Sequence, residues 1–260
     1  MRRWLLRLLS VALLCLLPNS GQASPAYGRF QVEEAEFVLR LADGRVLRGD
    51  DLVGVTLRLS SGEARGDLSV TGVDEDETAT GDRIVLYRLS STGPGDAADL
   101  CRPDIRGRRL GLPLPSGDGG FDFVCTSGAA GKCVLMGYRP WKHSDSAPLS
   151  ELHRACVHML RADYGGDDRP TTRDGTAVDI YDRFGIQSPA MRHDMQFEAA
   201  WAADGAVCVA HPRIPEHMTL AELEERYPRL AGHLGQQACT EDAMRAVPRA
   251  LLFNRSASPD

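Results

Sequence analysis

Cysteines constrain this chain more than any other feature of its sequence. Seven are encoded, and the first, Cys15, lies in an N-terminal segment with the properties of a secretory signal. The others are Cys101, Cys125, Cys133, Cys156, Cys208 and Cys239. An even set of cysteines in an exported chain predicts disulfides, which stabilise a fold chiefly by restricting the unfolded chain. The sequence alone does not say which cysteines pair.

One pairing is favoured by local spacing. Cys125 and Cys133 flank a short stretch rich in glycine and alanine between two apolar runs, so a bridge between adjacent strands is plausible there. Zinc is the alternative, with His153, Cys156 and His158 as the nearest ligand group. Positions 153 and 156 share a helical face, but position 158 is turned away from it. Structural disulfides are therefore predicted rather than a zinc site.

Residues 1–23 predict a secretory signal. Arg2, Arg3 and Arg7 give a positive start, residues 8–17 form an apolar run, and small residues surround a cleavage site after Ala23. The run is about half of the ~20 residues that span a bilayer. No other stretch approaches that length, so no transmembrane segment is expected after signal removal, and the mature chain is predicted to be periplasmic or secreted.

The charge balance limits the partners. Removing the three signal arginines from 30 basic residues leaves 27 against 36 acidic ones, a formal charge of −9. Such a surface repels phosphate backbones, so a nucleic-acid-binding function is not expected. The predicted partner is an unidentified protein or small ligand.

Composition and patterning predict an α+β protein, with a small N-terminal β-module followed by a disulfide-braced mixed α+β domain. The predicted segments are a β-rich module at 24–92, a linker or long connection at 93–120, an α+β domain at 121–250 and a tail at 251–260. In the β-module, Asp43 and Gly44 predict a tight hairpin turn with positive φ at both positions.

In the α+β domain, apolar runs predict strands at 121–125 and 133–138. A helix should follow, capped by Asp145 or Ser146, with Pro148 in its first turn. Its predicted buried face comprises Leu149, Leu152, Cys156 and Met159. Further predictions are a strand at 178–181, a hairpin turning at Asp204 and Gly205, a helix with a capping box from Thr219 to Glu222 that Pro228 kinks or ends, and a short helix at 240–247.

Nine short motifs follow one another between residues 121 and 210, and each occurs once. They are FVCTSG at 123–128, KCV at 132–134, GYRPW at 137–141, HRAC at 153–156, RADY at 161–164, TRDGT at 172–176, DRFGIQ at 182–187, FEAAW at 197–201 and GAVCV at 205–209. Together they resemble the bacterial ADYC domain, named for an Ala-Asp-Tyr-Cys motif. The resemblance implies an exported bacterial protein and brings no established activity.

The chain departs from this family at the namesake position. Gly165 stands where the family has cysteine. If that cysteine is bridged in the family, its partner should be missing here too, and Tyr227 is the predicted site of the second loss. The departure argues against an essential catalytic thiol at position 165.

The catalytic candidates are His153, Asp163 and Asp174, where the family-like residues concentrate. Two side chains are the candidate nucleophiles beside them: the Cys156 thiol next to His153 or His158, and the Ser127 hydroxyl with His153 and Asp163. A thiol is disfavoured by the even cysteine count, and Ser127 lacks the glycine pattern of a nucleophile elbow.

An acidic loop follows the RADY motif and offers candidate calcium ligands in Asp167, Asp168 and Asp174, since calcium prefers carboxylate oxygens. Its spacing does not match an EF-hand, and interleaved arginines favour ion pairs. No other cofactor is predicted.

Two functional hypotheses remain, and whether the chain is an enzyme stays open. The first is a non-enzymatic binding or envelope-associated module, favoured because no nucleophile, base and orienting group form a coherent set. The alternative is a secreted hydrolase with its site around His153, Asp163 and Asp174.

Overall fold

The computed structural model describes residues 28–61, 64–91, 98–116, 120–190 and 192–257. The predicted signal at 1–23 lies outside the described residues. Among the helices described, none has the length and apolar character to cross a membrane.

The described chain contains twelve strands and four α-helices. The strands are β1 (Gly28–Glu33), β2 (Glu36–Leu41), β3 (Val46–Leu47), β4 (Thr56–Ser61), β5 (Ala64–Glu77), β6 (Arg83–Ser91), β7 (Gly111–Pro115), β8 (Phe121–Cys125), β9 (Val178–Asp182), β10 (Met195–Ala202), β11 (Gly205–Val209) and β12 (Leu252–Ala257). The helices are α1 (Ala129–Leu135), α2 (Leu149–Arg161), α3 (Leu220–Arg226) and α4 (Glu241–Arg245), with 3-10 turns at Gly49–Leu52 and Pro228–Leu230.

These strands form three antiparallel sheets, which confirms the α+β prediction. Strands β1 to β3 form an N-terminal sheet, β4 to β8 a central sheet in sequence order, and the C-terminal sheet has the order β11-β10-β12-β9. Two segments differ from the predicted boundaries. The connection at 93–120 contains β7, and most of the predicted tail forms β12, which lies inside the C-terminal sheet between β10 and β9.

An aromatic cluster joins the N-terminal sheet to the central sheet. Phe37 of β2 packs against Tyr87 of β6, with ring centroids 4.7 Å apart, and its backbone N–H donates to the Tyr87 hydroxyl. Phe121 and Phe123 of β8 also contact the Phe37 ring. Because β6 buries consecutive side chains on both faces from Ile84 to Tyr87, this part of its sequence is a continuous apolar run rather than an alternating one.

The first helix, α1, corrects the strand predicted at 133–138. It lies between two layers: Val134 packs with the central-sheet cluster, whereas Cys133 packs with the cluster under α2. A helix buried on several sides loses the amphipathic period and resembles a strand in sequence. Gly131 permits the close approach to β8, since a Cβ there would lie 2.3 Å from the Cys125 carbonyl oxygen.

All six cysteines that the structure describes form disulfides, which confirms the disulfide prediction. The pairs are Cys101–Cys125, Cys133–Cys156 and Cys208–Cys239. The pairing of Cys125 with Cys133 was wrong because residue 133 lies on a helix facing α2, while Cys125 ends β8 beside the 98–110 segment.

The predicted buried face of α2 is confirmed, and all four of its residues are buried. The helix begins at Leu149, directly after Pro148, which occupies the N-cap position, so neither Asp145 nor Ser146 caps it.

The hairpin at Asp204 and Gly205 and the Thr219 capping box are also confirmed. At Asp43 and Gly44 only the glycine has positive φ, because the turn is one residue longer than predicted.

Candidate functional site

The RADY motif forms a tight loop at the end of α2. Ala162 adopts a left-handed conformation, with φ 47° and ψ 42°, and so ends the helix. The carboxylate of Asp163, fully buried, accepts hydrogen bonds from the backbone N–H groups of Gly166, Asp167 and Asp168. His158 Nδ1 lies 2.9 Å from Asp163 Oδ2, the oxygen that also accepts from Asp168. Asp163 therefore holds the 163–168 loop in shape.

Tyr164 enters a buried polar network. Its hydroxyl donates to Glu198 Oε1 at 3.0 Å and accepts from the backbone N–H of Arg213 at 2.8 Å. Its ring stacks on Trp201, with centroids 5.3 Å apart. Burial raises the pKa of the Tyr164 hydroxyl well above its ordinary value, so it remains a neutral donor.

The centre of this network is an ion pair shielded from solvent. Arg213 donates from Nε to Glu198 Oε2 and from Nη2 to Glu198 Oε1, both at 3.0 Å, and the two side chains are 1% and 0% exposed. Asn254 of β12 donates to Glu198 Oε2 at 2.7 Å. Arg213 also donates to the carbonyls of Met159 and Leu160 near the end of α2. The pair thus links α2, β10, β12 and the segment after β11.

A second network joins two other family-like motifs. The Tyr138 hydroxyl donates to Asp182 Oδ2 at 2.9 Å. The Asp182 carboxylate also accepts from the backbone N–H groups of Phe184, Ile186 and Gln187. The GYRPW and DRFGIQ motifs therefore meet in space and serve to position loops.

The predicted catalytic residues do not form one site. His153 is buried, its Nε2 lies 3.1 Å from the Ala130 carbonyl, and burial lowers its pKa. Asp163 is occupied by the backbone amides of its own loop. Asp174 is exposed and lines a cleft. Cys156 carries no nucleophilic thiol, as the even cysteine count indicated, because its sulfur is bridged to Cys133.

The calcium candidates are engaged by other groups. Asp167 accepts from the Tyr227 hydroxyl and lies 3.4 Å from Arg169, while Asp168 pairs with Arg161 at 2.8 Å. Within the described residues, no group of three or more histidine, cysteine or acidic side chains is arranged to hold a metal ion. Of the two arginines interleaved in the loop, Arg169 pairs with Asp167, whereas the partner of Asp168 is Arg161 on α2.

Tyr227 occupies the space of the missing namesake side chain. A Cβ built on Gly165 would lie 2.2 Å from Tyr227 Cζ. The sequence had singled out these two positions, and the structure places them in contact. Nearby, Arg229 donates to the carbonyls of Tyr164, Gly165, Asp204 and Ala206. The ring contact and these hydrogen bonds connect the two segments without a disulfide.

A cleft of about 610 Å³ opens between the central sheet and the C-terminal unit. One wall comes from the 100–103 segment, the end of β8 and the start of α1. The other comes from the end of α2, the 172–176 loop and the start of β9. Its polar and charged lining comprises Arg102, Ser127, Lys132, Arg161, Thr172, Arg173, Asp174, Thr176 and Arg213.

Sequence reasoning missed the basic residues of this cleft. Arg102 belongs to the predicted connection, Lys132 to the glycine- and alanine-rich stretch before Cys133, and Arg173 to the acidic loop, so no local pattern groups them. Glu198 did offer a signal, because it is the one charged residue within a mostly apolar strand. Its partner Arg213, after β11, offers none.

Replacing Glu198 with alanine should lower the free energy of unfolding by ~3–5 kcal/mol, because it leaves a buried arginine charge unpaired. Urea unfolding followed by circular dichroism measures this loss. The control is Arg249→Ala, which removes an exposed ion pair to Asp204 and should cost less than about 1 kcal/mol. Equal losses in the two variants would contradict a central role for the buried pair.

Gly165→Ala should destabilise the protein by ~1–3 kcal/mol, since its Cβ overlaps the Tyr227 ring. In a Tyr227→Ala background the same change should cost little, because the overlapping atoms are gone. A double-mutant cycle by thermal or urea unfolding measures the coupling. Additive effects of the two substitutions would show that the ring does not fill the Gly165 site.

The sequence model of the ADYC domain matches residues 49–215, more than half of the chain. The match contains both polar networks except Asn254, and it contains the whole cleft. It begins within the region predicted as the N-terminal module. No curated protein and no solved structure matches the chain significantly. Through the match over residues 49–215, the chain belongs to the ADYC domain family.

Proposed function

We propose that this protein is an exported bacterial protein, periplasmic or secreted, and that it acts as a non-enzymatic binding or envelope-associated module. The predicted signal at residues 1–23 supports export. The three disulfides support it too, because they fit a protein outside the cytoplasm. The buried networks account for most family-like polar residues as structural groups. The cleft is the candidate ligand site because residues of the FVCTSG, KCV and TRDGT motifs line it.

The observation that carries this proposal is the cleft itself. Its volume of about 610 Å³ is in the range of small-molecule sites. Hydrogen-bond donors of several kinds converge on it from two separate structural units. A site between two units is a common place for a ligand, because each wall contributes different groups.

Disulfides hold both walls of the cleft. Cys101–Cys125 joins the segment carrying Arg102 to the end of β8. Cys133–Cys156 joins α1, which carries Lys132, to α2. A site whose walls are fixed in advance loses less conformational entropy on binding. The bridges therefore favour a preformed binding site.

The hydrolase alternative has less support. Of its three candidate residues, only Asp174 lines the cleft, and His153 and Asp163 are buried with other hydrogen-bond partners. A hydrolase needs a nucleophile or activated water beside a base, with an orienting group behind it. The cleft offers Ser127 and Asp174, but His153 hydrogen-bonds the Ala130 carbonyl instead.

The test is a titration of ¹⁵N-labelled mature protein with small molecules of differing charge, including sugars, amines, amino acids and carboxylates. Ligands should shift amide resonances at Ser127, Thr172 and Gly175, and none should be hydrolysed. Ser127→Tyr, which fills the cleft, should weaken binding at least about tenfold, or ~1.4 kcal/mol. Ser146→Tyr, at an exposed position, is the matched control. Turnover that Asp174→Asn abolishes would favour the hydrolase instead, and binding elsewhere would contradict the cleft proposal.

A further inference from the structure

Three basic side chains line the cleft without an acidic partner. Arg102, Lys132 and Arg173 make no ion pair or side-chain hydrogen bond with any other residue that the structure describes. A further base of the lining, the partly buried Arg161, is paired with Asp168. Elsewhere on the molecule many arginines form ion pairs, for example at Glu33, Asp76 and Asp194. The cleft therefore gathers positive charge that the fold itself does not use.

Neutral donors lie among these charges. Arg213 donates from Nη1 to Thr172 Oγ1 at 3.3 Å, so the hydroxyl proton of Thr172 is left to donate to another group. The Ser127 hydroxyl also lines the cleft. Hydroxyl and guanidinium donors together are the usual partners of carboxylate and phosphate oxygens.

The charges that line the cleft indicate the net charge of a matching ligand. Asp174 is the one carboxylate among the described lining residues, and it offsets one of the three unpaired positive charges. Two positive charges then remain to be neutralised. The chain as a whole carries a formal charge of −6, which repels a long polyanion from the surrounding surface.

We propose that the cleft binds a small dianion through its oxygen atoms, held between Arg102, Lys132 and Arg173 with Thr172 and Ser127 as neutral donors. The dianion carries its charge on one phosphate group or on two carboxylates. This inference rests on the proposed function, since it names the class of ligand for the same cleft.

The experiment compares four probes by isothermal titration calorimetry of the mature protein at low ionic strength and about pH 8, where phosphate is mostly dianionic. Inorganic phosphate and succinate are the dianions, acetate is the monoanion, and succinamide is the neutral analogue of succinate. One dianion, or both, should bind at least about tenfold more tightly than acetate and succinamide. Added sodium chloride should weaken this binding by screening the charges.

Three variants locate the binding site. Arg102→Gln, Lys132→Gln and Arg173→Gln should each weaken dianion binding about five- to tenfold. Arg154→Gln removes the same charge from an exposed position of α2 outside the cleft, and it should leave the affinity unchanged. The thermal midpoint should change little in all four, since none of these side chains forms an ion pair or hydrogen bond with another residue that the structure describes.

The outcomes separate the two proposals. The dianion inference would be overturned if the three cleft substitutions left the dianion affinity unchanged, or if Arg154→Gln lowered it equally. Succinamide bound in the cleft as tightly as succinate would overturn it too, while leaving the cleft as a binding site. If neither these probes nor the wider set of small molecules shifts any cleft resonance, both proposals fail.

Discussion

The ion pair between Glu198 and Arg213 connects several segments of the C-terminal unit. The free-energy cost of removing its two charges from water explains why so many hydrogen bonds surround it. Removing both charges from water is unfavourable by several kcal/mol per ion, so the pair stabilises the fold only if every remaining hydrogen-bonding group is satisfied. Tyr164 and Asn254 satisfy the carboxylate, and carbonyls near the end of α2 satisfy the guanidinium. The positions of four separate segments are thereby fixed by one fully bonded network.

This network gives a physical reason for the ADYC-like motif. Ala162 ends α2, Asp163 shapes the next loop, and Tyr164 inserts its hydroxyl between Glu198 and the Arg213 backbone. All three residues are buried. Because Arg213 lines the cleft and donates to Thr172 Oγ1, the same network contributes to the cleft lining and engages one of its hydroxyls. The buried groups of the motif therefore have structural roles, whereas the ligand recognition proposed above rests on the basic residues of the cleft.

Sequence patterns predicted the parts of this protein that depend on neighbouring residues. The buried face of α2, the hairpin before Gly205 and the Thr219 capping box each have a local signal. Parts that depend on distant contacts were not predictable. Helix α1 is buried between two layers, β12 pairs with strands more than fifty residues earlier, and the cleft collects bases from three unrelated segments. The contact of Gly165 with Tyr227 is the exception, because a missing family cysteine implied a missing partner.

Native-state hydrogen exchange tests most directly whether the buried network holds the C-terminal unit together. The amide of Arg213 bonds the Tyr164 hydroxyl, and the amides of Gly166 and Asp168 bond Asp163, all outside regular secondary structure. If the network opens only when the unit unfolds, these amides will exchange with the same opening free energy as those of α2 and β10. Exchange at the rate of an exposed loop, with α2 and β10 still protected, would show that the network opens alone and would contradict this account.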